Sequence, residues 1–248
     1  MPLKRIKMKN IYPEILKAKI EKRKLLAILL DPDKIDWEII DDLIIKINES
    51  PATHIFIGGS LVLSNKIDEL ILKIKQYCTL PIVLFPGNPS QISNEADGIL
   101  FLSLISGRNP DYLIEHQVKA VPILKKTNLE IISTGYILID GANETAVSKI
   151  SQTKPIAREN KREAVHTALA GEMIGNKLIY LEAGSGARLS VPREIIELVS
   201  KNIEIPLIVG GGIKSHDEIQ EVYDSGADLV VIGTAFENDN NFFNQFDV

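Results

Sequence analysis

Short apolar runs recur along this chain, and a helical pattern follows most of them. The runs cover residues 25–31, 54–60, 81–85, 99–103, 131–136, 178–182, 207–210 and 229–233. They are continuously hydrophobic rather than alternating, which is typical of strands that helices cover on both faces. Strand-then-helix units in series predict a parallel sheet, and eight strands of this kind match one (β/α)8 barrel, the TIM-barrel fold.

The segments between the runs carry the stripes and end signals of amphipathic helices. Apolar stripes lie within residues 39–47, 67–74 and 195–199, and an alanine-rich helical pattern covers 161–174. Asn109 followed by Pro110 predicts a cap and then proline at the first helical position. Ser215 with Glu218 matches a capping box. Helices are therefore expected between most pairs of strands.

One connection and the N-terminal segment depart from this pattern. Residues 87–97, between the third and fourth runs, have too little apolar periodicity for a helix that covers the sheet, so we expect an extended segment or a single turn. Residues 10–24 form a weakly amphipathic helix that we expect across one end of the barrel. Because no internal repeat or linker divides the chain, one domain over residues 1–248 is predicted.

Composition limits the expected binding partners of the protein and its expected cellular location. Of 248 residues 45% are hydrophobic, enough for a full-sized core, and 28 basic against 33 acidic residues leave a net charge of -5. This acidity provides no basic field for nucleic acid, so nucleic acid is not an expected partner. The lone Cys78 cannot form an internal disulfide, and no apolar signal segment follows the charged start. We therefore expect a cytoplasmic location.

Four basic residues precede the first predicted helix: Lys4, Arg5, Lys7 and Lys9. A solvated basic tail is the simpler interpretation of such a cluster. Its alternative is a transient contact with an anionic membrane surface.

Glycines follow the last three predicted strands. Gly184 and Gly186 come after the sixth, Gly211 and Gly212 after the seventh, and Gly233 ends the eighth. A phosphate must approach backbone N–H groups closely, and a side chain at such positions would hold it off. One glycine cluster alone usually makes a tight turn. Clusters on three successive strands instead predict the phosphate site that late barrel loops form.

Carboxylates end two of the predicted strands. Glu182 closes an apolar run, where a charge is costly unless it is paired with a neighbouring Arg or Lys or used as a general base. Asp31 and Ser60 end adjacent strands and offer hard oxygen ligands of the kind that Mg²⁺ accepts. An Asp-Pro-Asp sequence is also a common turn, so the metal role of Asp31 depends on a phosphate site beside it.

Together these strand ends resemble the geranylgeranylglyceryl and heptaprenylglyceryl phosphate synthase family, the PcrB-like proteins. The motifs that carry the resemblance span nearly the whole chain: Leu30-Asp31-Pro32-Asp33-Lys34, Ile57-Gly58-Gly59-Ser60, Gly135-Tyr136, Tyr180-Leu-Glu-Ala-Gly-Ser-Gly186, Val209-Gly-Gly-Gly-Ile213 and Val231-Ile-Gly-Thr234. The resemblance implies a modified TIM barrel in which an extended segment replaces the helix after the third strand. It also implies a homo-oligomer.

The family's reaction joins the 3-hydroxyl of sn-glycerol 1-phosphate to C1 of a polyprenyl diphosphate and releases diphosphate, with Mg²⁺ as cofactor. By resemblance, Asp31 and Ser60 would hold the metal, Glu182 would orient or deprotonate the hydroxyl, and Tyr136 would line the reacting centre. The residues that would hold glycerol 1-phosphate are Tyr180, Leu181, Glu182, Ala183, Gly184, Ser185, Gly186, Gly211, Gly212, Gly233 and Thr234.

The prenyl donor needs an apolar groove, for which the candidates are Phe85, Leu102, Leu104 and Ile105. Relatives that use a heptaprenyl donor typically carry a lysine two residues before the first-strand aspartate. Leu29 occupies that position here, which favours the twenty-carbon geranylgeranyl donor over a longer chain.

Two other classes of function remain open at the level of the sequence. One is a different phosphate-binding barrel enzyme, either an isomerase, with Asp31 opposed by Asp140, or a flavin-dependent oxidoreductase. The other is a binding or scaffold protein without catalysis, which a fold alone does not exclude.

Overall fold

Eight parallel strands close into a barrel in sequence order, which confirms the predicted fold. The computed structural model describes residues 10–59, 62 and 66–243. Its strands are β1 (Leu25–Leu30), β2 (His54–Ile57), β3 (Ile82–Leu84), β4 (Gly98–Leu104), β5 (Glu130–Leu138), β6 (Leu178–Glu182), β7 (Leu207–Gly210) and β8 (Leu229–Ile232). Each strand pairs with the next, and β8 pairs with β1.

Helices surround this barrel and cover one of its ends. They are α1 (Ile11–Ile20), α2 (Ile40–Glu49), α3 (Ile67–Tyr77), α4 (His116–Leu124), α5 (Ala146–Ser151), α6 (Lys161–Met173), α7 (Arg193–Asn202), α8 (His216–Asp224) and α9 (Thr234–Asn238). Residues 111–115 form a π-helical turn that leads into α4. Within the part of the chain that the structure describes, every helix is too short or too polar to cross a lipid bilayer.

The strands bury side chains in two layers, because successive residues of a strand point to opposite faces. In β6, Leu178 and Tyr180 belong to the core inside the barrel, whereas Ile179 and Leu181 belong to the core between barrel and helices. The same alternation runs through the other strands. It fixes which strand-end residues face the barrel mouth.

Helix α1 closes the N-terminal end of the barrel, as the sequence predicted. Ile11 and Ile15 are fully buried and join the inner core. The N–H groups of Ile11 and Tyr12 donate to the Glu130 carboxylate at 2.6 and 2.9 Å. A carboxylate satisfies the free N–H groups at a helix start, so Glu130, the first residue of β5, holds α1 against that strand.

The connection between β3 and β4 contains a single turn of 3-10 helix, Pro89–Gln91, and this confirms the predicted absence of a covering helix. Gln91 is buried, and its side chain donates to Gly59 O and accepts from Gly87 N, at 3.0 and 3.1 Å. The segment is therefore fastened to the loop after β2, while the space where a helix would pack is left open beside β4.

One local prediction needs correction, and one helix was not predicted. Ser215 caps α8 through the Glu218 N–H, but the Glu218 side chain accepts from Lys214 N at 2.6 Å rather than from the Ser215 N–H, so the capping box is only half formed. Helix α5 was not predicted. A reciprocal capping box between Thr145 and Ser148 begins that helix.

Candidate active site

The inward-facing residues at the carboxyl ends of the strands form the candidate site. Glu182 ends β6, Tyr136 lies near the end of β5, and Asp31 and Phe85 directly follow β1 and β3. All four continue the inward positions of their strands. The barrel therefore brings together side chains that lie up to 151 positions apart in the sequence.

Glu182 is buried without a basic partner among the described residues. Its Oε1 accepts the Gly184 N–H at 2.6 Å, which orients the carboxylate. Burial raises the pKa of Glu182 to about 7, although the hydrogen bond from the Gly184 N–H favours the charged form. The ion pair that was the alternative to a catalytic role is therefore absent from the described part of the chain. A carboxyl with a pKa near 7 can accept or release a proton at neutral pH.

Tyr180 and Tyr136 surround Glu182 with aromatic rings. Their ring centroids are 5.4 Å apart in an edge-on arrangement, and Phe85 stacks on Tyr180 at 5.3 Å. Burial, together with the charge of Glu182, raises the pKa of both phenols well above the ordinary value. Both hydroxyls thus stay protonated. In the described part of the chain, the buried Tyr180 hydroxyl has no hydrogen-bond partner.

The glycine loops after β6 and β7 lie directly against Glu182 and each other. Gly184, Gly186, Gly211 and Gly212 all have positive φ angles. A Cβ at Gly211 would collide with Glu182 Oε1 and would come within 2.6 Å of Gly184 N. A side chain at Gly211 is therefore excluded both by its backbone conformation and by its neighbours.

The third predicted cluster joins these loops through side chains. Ser185 Oγ lies 3.4 Å from Thr234 Oγ1, which connects the loop after β6 to the start of α9. Gly233 has a negative φ of -115°, and a Cβ built on it would meet only Leu29, at 3.6 Å. The geometry of the first two clusters thus requires glycine more strictly than that of the third.

Two residues of the predicted phosphate motif point away from the barrel interior. The Leu181 and Ala183 side chains are fully buried in the outer core, between strand and helices. The Ala183 N–H donates to Gly210 O at 3.0 Å within the sheet. Their side chains cannot reach a ligand at the mouth, so any part they have in binding comes from their backbone.

Asp31 forms a separate corner of the mouth. Its Oδ1 accepts the Asp33 N–H at 3.1 Å, while Oδ2 lies 3.8 Å from the Lys34 ammonium. Burial raises the pKa of Asp31, and the Asp33 N–H and the Lys34 charge oppose that effect. A Cβ at Gly59 would lie 3.1 Å from Oδ2, so the loop after β2 approaches this carboxylate closely. The other predicted ligand, Ser60, lies outside the described residues.

The Asp31 carboxylate at this corner is a ligand of the chemical kind that magnesium accepts. Among the described residues, no three His, Cys, Asp or Glu side chains come together as a metal cage. Mg²⁺ commonly binds through one or two carboxylates and takes its other ligands from water and substrate phosphates. Asp31, half-buried and with Oδ2 at 3.8 Å from the nearest basic group, meets that requirement.

The residues that support the glycine loop after β6 were not predicted from the sequence. Thr145 packs its side chain against Gly184, and Asn143 accepts the Arg188 N–H at 2.9 Å. Arg158 donates to the backbone oxygens of Asp140 and Ser190, both at 2.8 Å. The loop after β5 therefore supports the loop after β6. Only the Thr145–Ser148 capping spacing would have been visible in the sequence.

An apolar groove, open to solvent, begins beside Tyr136 and Phe85 and runs along β4. It occupies the space left by the missing helix, between the 3-10 turn and α4. Most of its lining is aliphatic or aromatic and includes Phe85, Ile92, Ile99, Phe101, Leu102, Leu104, Tyr112, Ala120 and Tyr136. Ile105 does not belong to it, because its Cδ1 lies over Gly135 and Gly171, on the outer side of β5.

A model of the PcrB family matches residues 18–247 of this sequence. The chain belongs to this family. This PcrB family member is 65% identical to the geranylgeranylglyceryl phosphate synthase of Flavobacterium johnsoniae over 234 residues, which cover 94% of this chain and 96% of that protein. It is 40% identical to the enzyme of the same name from Pyrococcus furiosus, over 89% of this chain and 87% of that one.

Solved structures agree with these sequence comparisons. The PcrB family member described here superposes with a TM-score of 0.89 on (S)-3-O-geranylgeranylglyceryl phosphate synthase from Thermoplasma acidophilum, solved in complex with sn-glycerol-1-phosphate. The two are 30% identical, and the match covers 95% of this chain and 94% of that one.

Proposed function

We propose that this protein is a geranylgeranylglyceryl phosphate synthase, a prenyltransferase that requires magnesium. The 3-hydroxyl oxygen of sn-glycerol 1-phosphate forms a bond to C1 of geranylgeranyl diphosphate. The bond between C1 and the diphosphate oxygen breaks, its electron pair leaves with diphosphate, and the hydroxyl proton passes to Glu182. The product is an ether.

The observation that carries this proposal is the position of Glu182. This buried carboxyl, with its pKa raised to about 7, lies against the glycine loops, and its charge also acts on the phenol of Tyr136, which borders the apolar groove. A small phosphate and a long apolar chain can therefore meet at a single proton acceptor. The named relatives and the glycerol phosphate complex of the Thermoplasma enzyme support the same substrates.

Different residues of the site would bind the phosphate, orient the reacting hydroxyl and exclude water. Backbone N–H groups of the glycine loops, with Ser185 and Thr234, would bind the phosphate. The Gly184 N–H keeps Glu182 oriented toward the acceptor hydroxyl, and the unpaired Tyr180 hydroxyl is available to a glycerol oxygen. Tyr136 and Phe85 exclude water from the reacting carbon, which protects C1 from hydrolysis.

Asp31 would hold the magnesium, together with Ser60. When bound, the metal supplies positive charge to the diphosphate as it leaves. Burial raises the pKa of Asp31 despite the nearby Lys34 charge, and a bound cation would favour the charged form of this carboxylate.

The groove takes the prenyl chain. Of the four residues proposed for it, Phe85, Leu102 and Leu104 line the groove. Leu29 faces the barrel mouth beside Gly233 and brings no positive charge there. We infer that the donor is the twenty-carbon chain, because a lysine at position 29 accompanies longer donors in the family that the sequence resembles.

Incubation with sn-glycerol 1-phosphate, geranylgeranyl diphosphate and Mg²⁺ tests the proposal directly. We expect an ether-linked product, detected by mass spectrometry, that disappears when a chelator removes magnesium. Heptaprenyl diphosphate should react more slowly, and sn-glycerol 3-phosphate serves as the stereochemical control. If neither donor gives a product, the proposed function is wrong.

The alternative enzymes have less support from the geometry. An isomerase would need a second carboxylate opposed to Asp31, but Asp140 is engaged in its own loop, where Oδ1 accepts the Ala142 N–H at 2.9 Å. A flavin enzyme would purify yellow, and a scaffold protein would bind the substrates without converting them. The same incubation distinguishes both from the transferase.

Two partner predictions remain to be tested. We expect a homo-oligomer, which light scattering at several protein concentrations would detect. The basic N-terminal residues Lys4, Arg5, Lys7 and Lys9, proposed for transient contact with a membrane surface, lie outside the described residues. Co-sedimentation with anionic vesicles would test that contact.

A further inference from the structure

An ion pair crosses the barrel mouth between the loop after β1 and the short helix α9. The Lys34 ammonium donates to Glu237 Oε2 at 3.0 Å and lies 3.8 Å from Asp31 Oδ2. The Glu237 side chain is 13% exposed and that of Asp31 18%. Lys34 is thus shared between two carboxylates. It lies closer to Glu237, which has no proposed metal role, than to Asp31.

Among the described residues, the loop after β1 leaves one Asp31 oxygen for an incoming ligand. Oδ1 accepts the Asp33 N–H at 3.1 Å, and the Lys34 N–H donates to Asp31 O at 3.0 Å, which closes the turn. This turn places the Lys34 side chain beside Oδ2. If the ammonium moved against Oδ2, it would compete for that oxygen with any cation.

Glu237 is held in position by α9. Its N–H donates to Gly233 O at 3.0 Å, and the preceding Phe236 is fully buried and packs against Phe243. Thr234, at the start of the same helix, lies 3.4 Å from Ser185 in the proposed phosphate site. One short helix therefore contacts both the phosphate loops and the residues around Asp31.

We propose that Glu237 is a positioning residue that holds the Lys34 ammonium away from Asp31, so that Asp31 stays open to a divalent cation and the diphosphate it carries. This inference rests on the proposed function, because it takes Asp31 as the metal anchor. Without Glu237, Lys34 would pair with Asp31 instead, and more magnesium would be needed to displace it.

The test is calorimetric titration with inorganic pyrophosphate at a series of Mg²⁺ concentrations. Saturating sn-glycerol 1-phosphate is present, so that the glycine loops are occupied. Glu237→Gln should raise the half-saturating Mg²⁺ concentration about two- to fivefold, the size of a partly exposed ion pair. The double variant Glu237→Gln/Lys34→Met should return it toward the wild-type value, because the competing ammonium is gone.

Glu49→Gln is the matched control. The Glu49 carboxylate pairs with Lys46 at 3.1 Å on α2, away from the barrel mouth, so this variant should leave the titration unchanged. An unchanged magnesium requirement in Glu237→Gln overturns the positioning role. So does a double variant as impaired as the single one. If wild-type protein binds pyrophosphate without magnesium dependence, and Asp31→Ala behaves in the same way, the metal assignment itself fails. That result is distinguishable from failure of the Glu237 role.

Discussion

Replacing Glu182 with glutamine should stabilise the folded protein at alkaline pH while it impairs catalysis. Burial raises the pKa of Glu182 from 4.5 to about 7, so the folded state binds this proton more tightly than the unfolded state does. Stability from the protonated form is fully present below about pH 4.5 and is lost as the pH rises through about 7. Glutamine is always neutral, and its carbonyl oxygen can still accept the Gly184 N–H.

The magnitude follows from the two pKa values. Their difference of 2.5 means that the charged carboxylate lowers the free energy of unfolding by about 3 kcal/mol at pH 8. At pH 5 the same comparison leaves less than about 1 kcal/mol, because Glu182 is then protonated in the folded protein. The gain from Glu182→Gln should therefore depend strongly on pH.

Urea denaturation of wild type and Glu182→Gln at pH 5 and pH 8 measures this difference. Glu69→Gln, an exposed carboxylate on α3, is the control and should shift neither midpoint appreciably. In the enzyme assay, loss of the general base should lower turnover about 10²- to 10⁴-fold with little change in glycerol phosphate binding. A variant that is no more stable at pH 8 than wild type, or equally stabilised at both pH values, would refute the reasoning.

Three further predictions concern the metal corner, the glycine loops and the closed end of the barrel. Asp31→Ala should weaken diphosphate binding and flatten the magnesium dependence of the rate; a normal magnesium response in a titration would contradict the metal assignment. Gly211→Ala should abolish most glycerol phosphate binding and cost about 1–3 kcal/mol of stability, because the new Cβ would meet Glu182 and the backbone there is left-handed. Gly186→Ala is the control, since a Cβ there has open space and brings only the backbone strain. Equal effects of the two variants in calorimetry and denaturation would argue against a steric cause. Burial, aided by the charge of Arg23, lowers the pKa of His54 to about 4, so the unfolded state takes up a proton first as the pH falls. The free energy of unfolding should therefore fall by up to about 3 kcal/mol between pH 6.5 and 4. His54→Asn should lose this part of the acid sensitivity in denaturation curves, and an unchanged dependence of stability on pH would exclude His54 as its source.

The features of the fold that were predicted correctly from the sequence are those that depend on local order. Continuous apolar runs located every strand. The weak periodicity of residues 87–97 indicated the missing helix for the same reason, since amphipathic spacing is a property of neighbouring positions.

Features that depend on distant loops could not be predicted in this way. Arg158 binds backbone oxygens of two loops, and nothing in its sequence neighbours specifies those partners. Lys34 and Glu237 are 203 positions apart and meet only because β8 closes on β1. Ile105 was placed in the groove because it follows β4, but the chain turns there and directs its side chain over β5. Strand order can be predicted from periodicity, whereas contacts between loop side chains require the closed barrel.

The unpaired hydroxyl of Tyr180 and the raised pKa of Glu182 have one physical origin. Both groups are polar and lie in a barrel interior that is otherwise filled by aliphatic and aromatic side chains, where a missing partner costs about 1–3 kcal/mol for a neutral group. A glycerol phosphate bound by the glycine loops would bring hydroxyl groups to these two side chains and satisfy them. The free protein would thus carry a local destabilisation that binding of the proposed substrate would relieve. The same two atoms would discriminate against a ligand that lacks the hydroxyl, because such a ligand would leave them buried and unpaired.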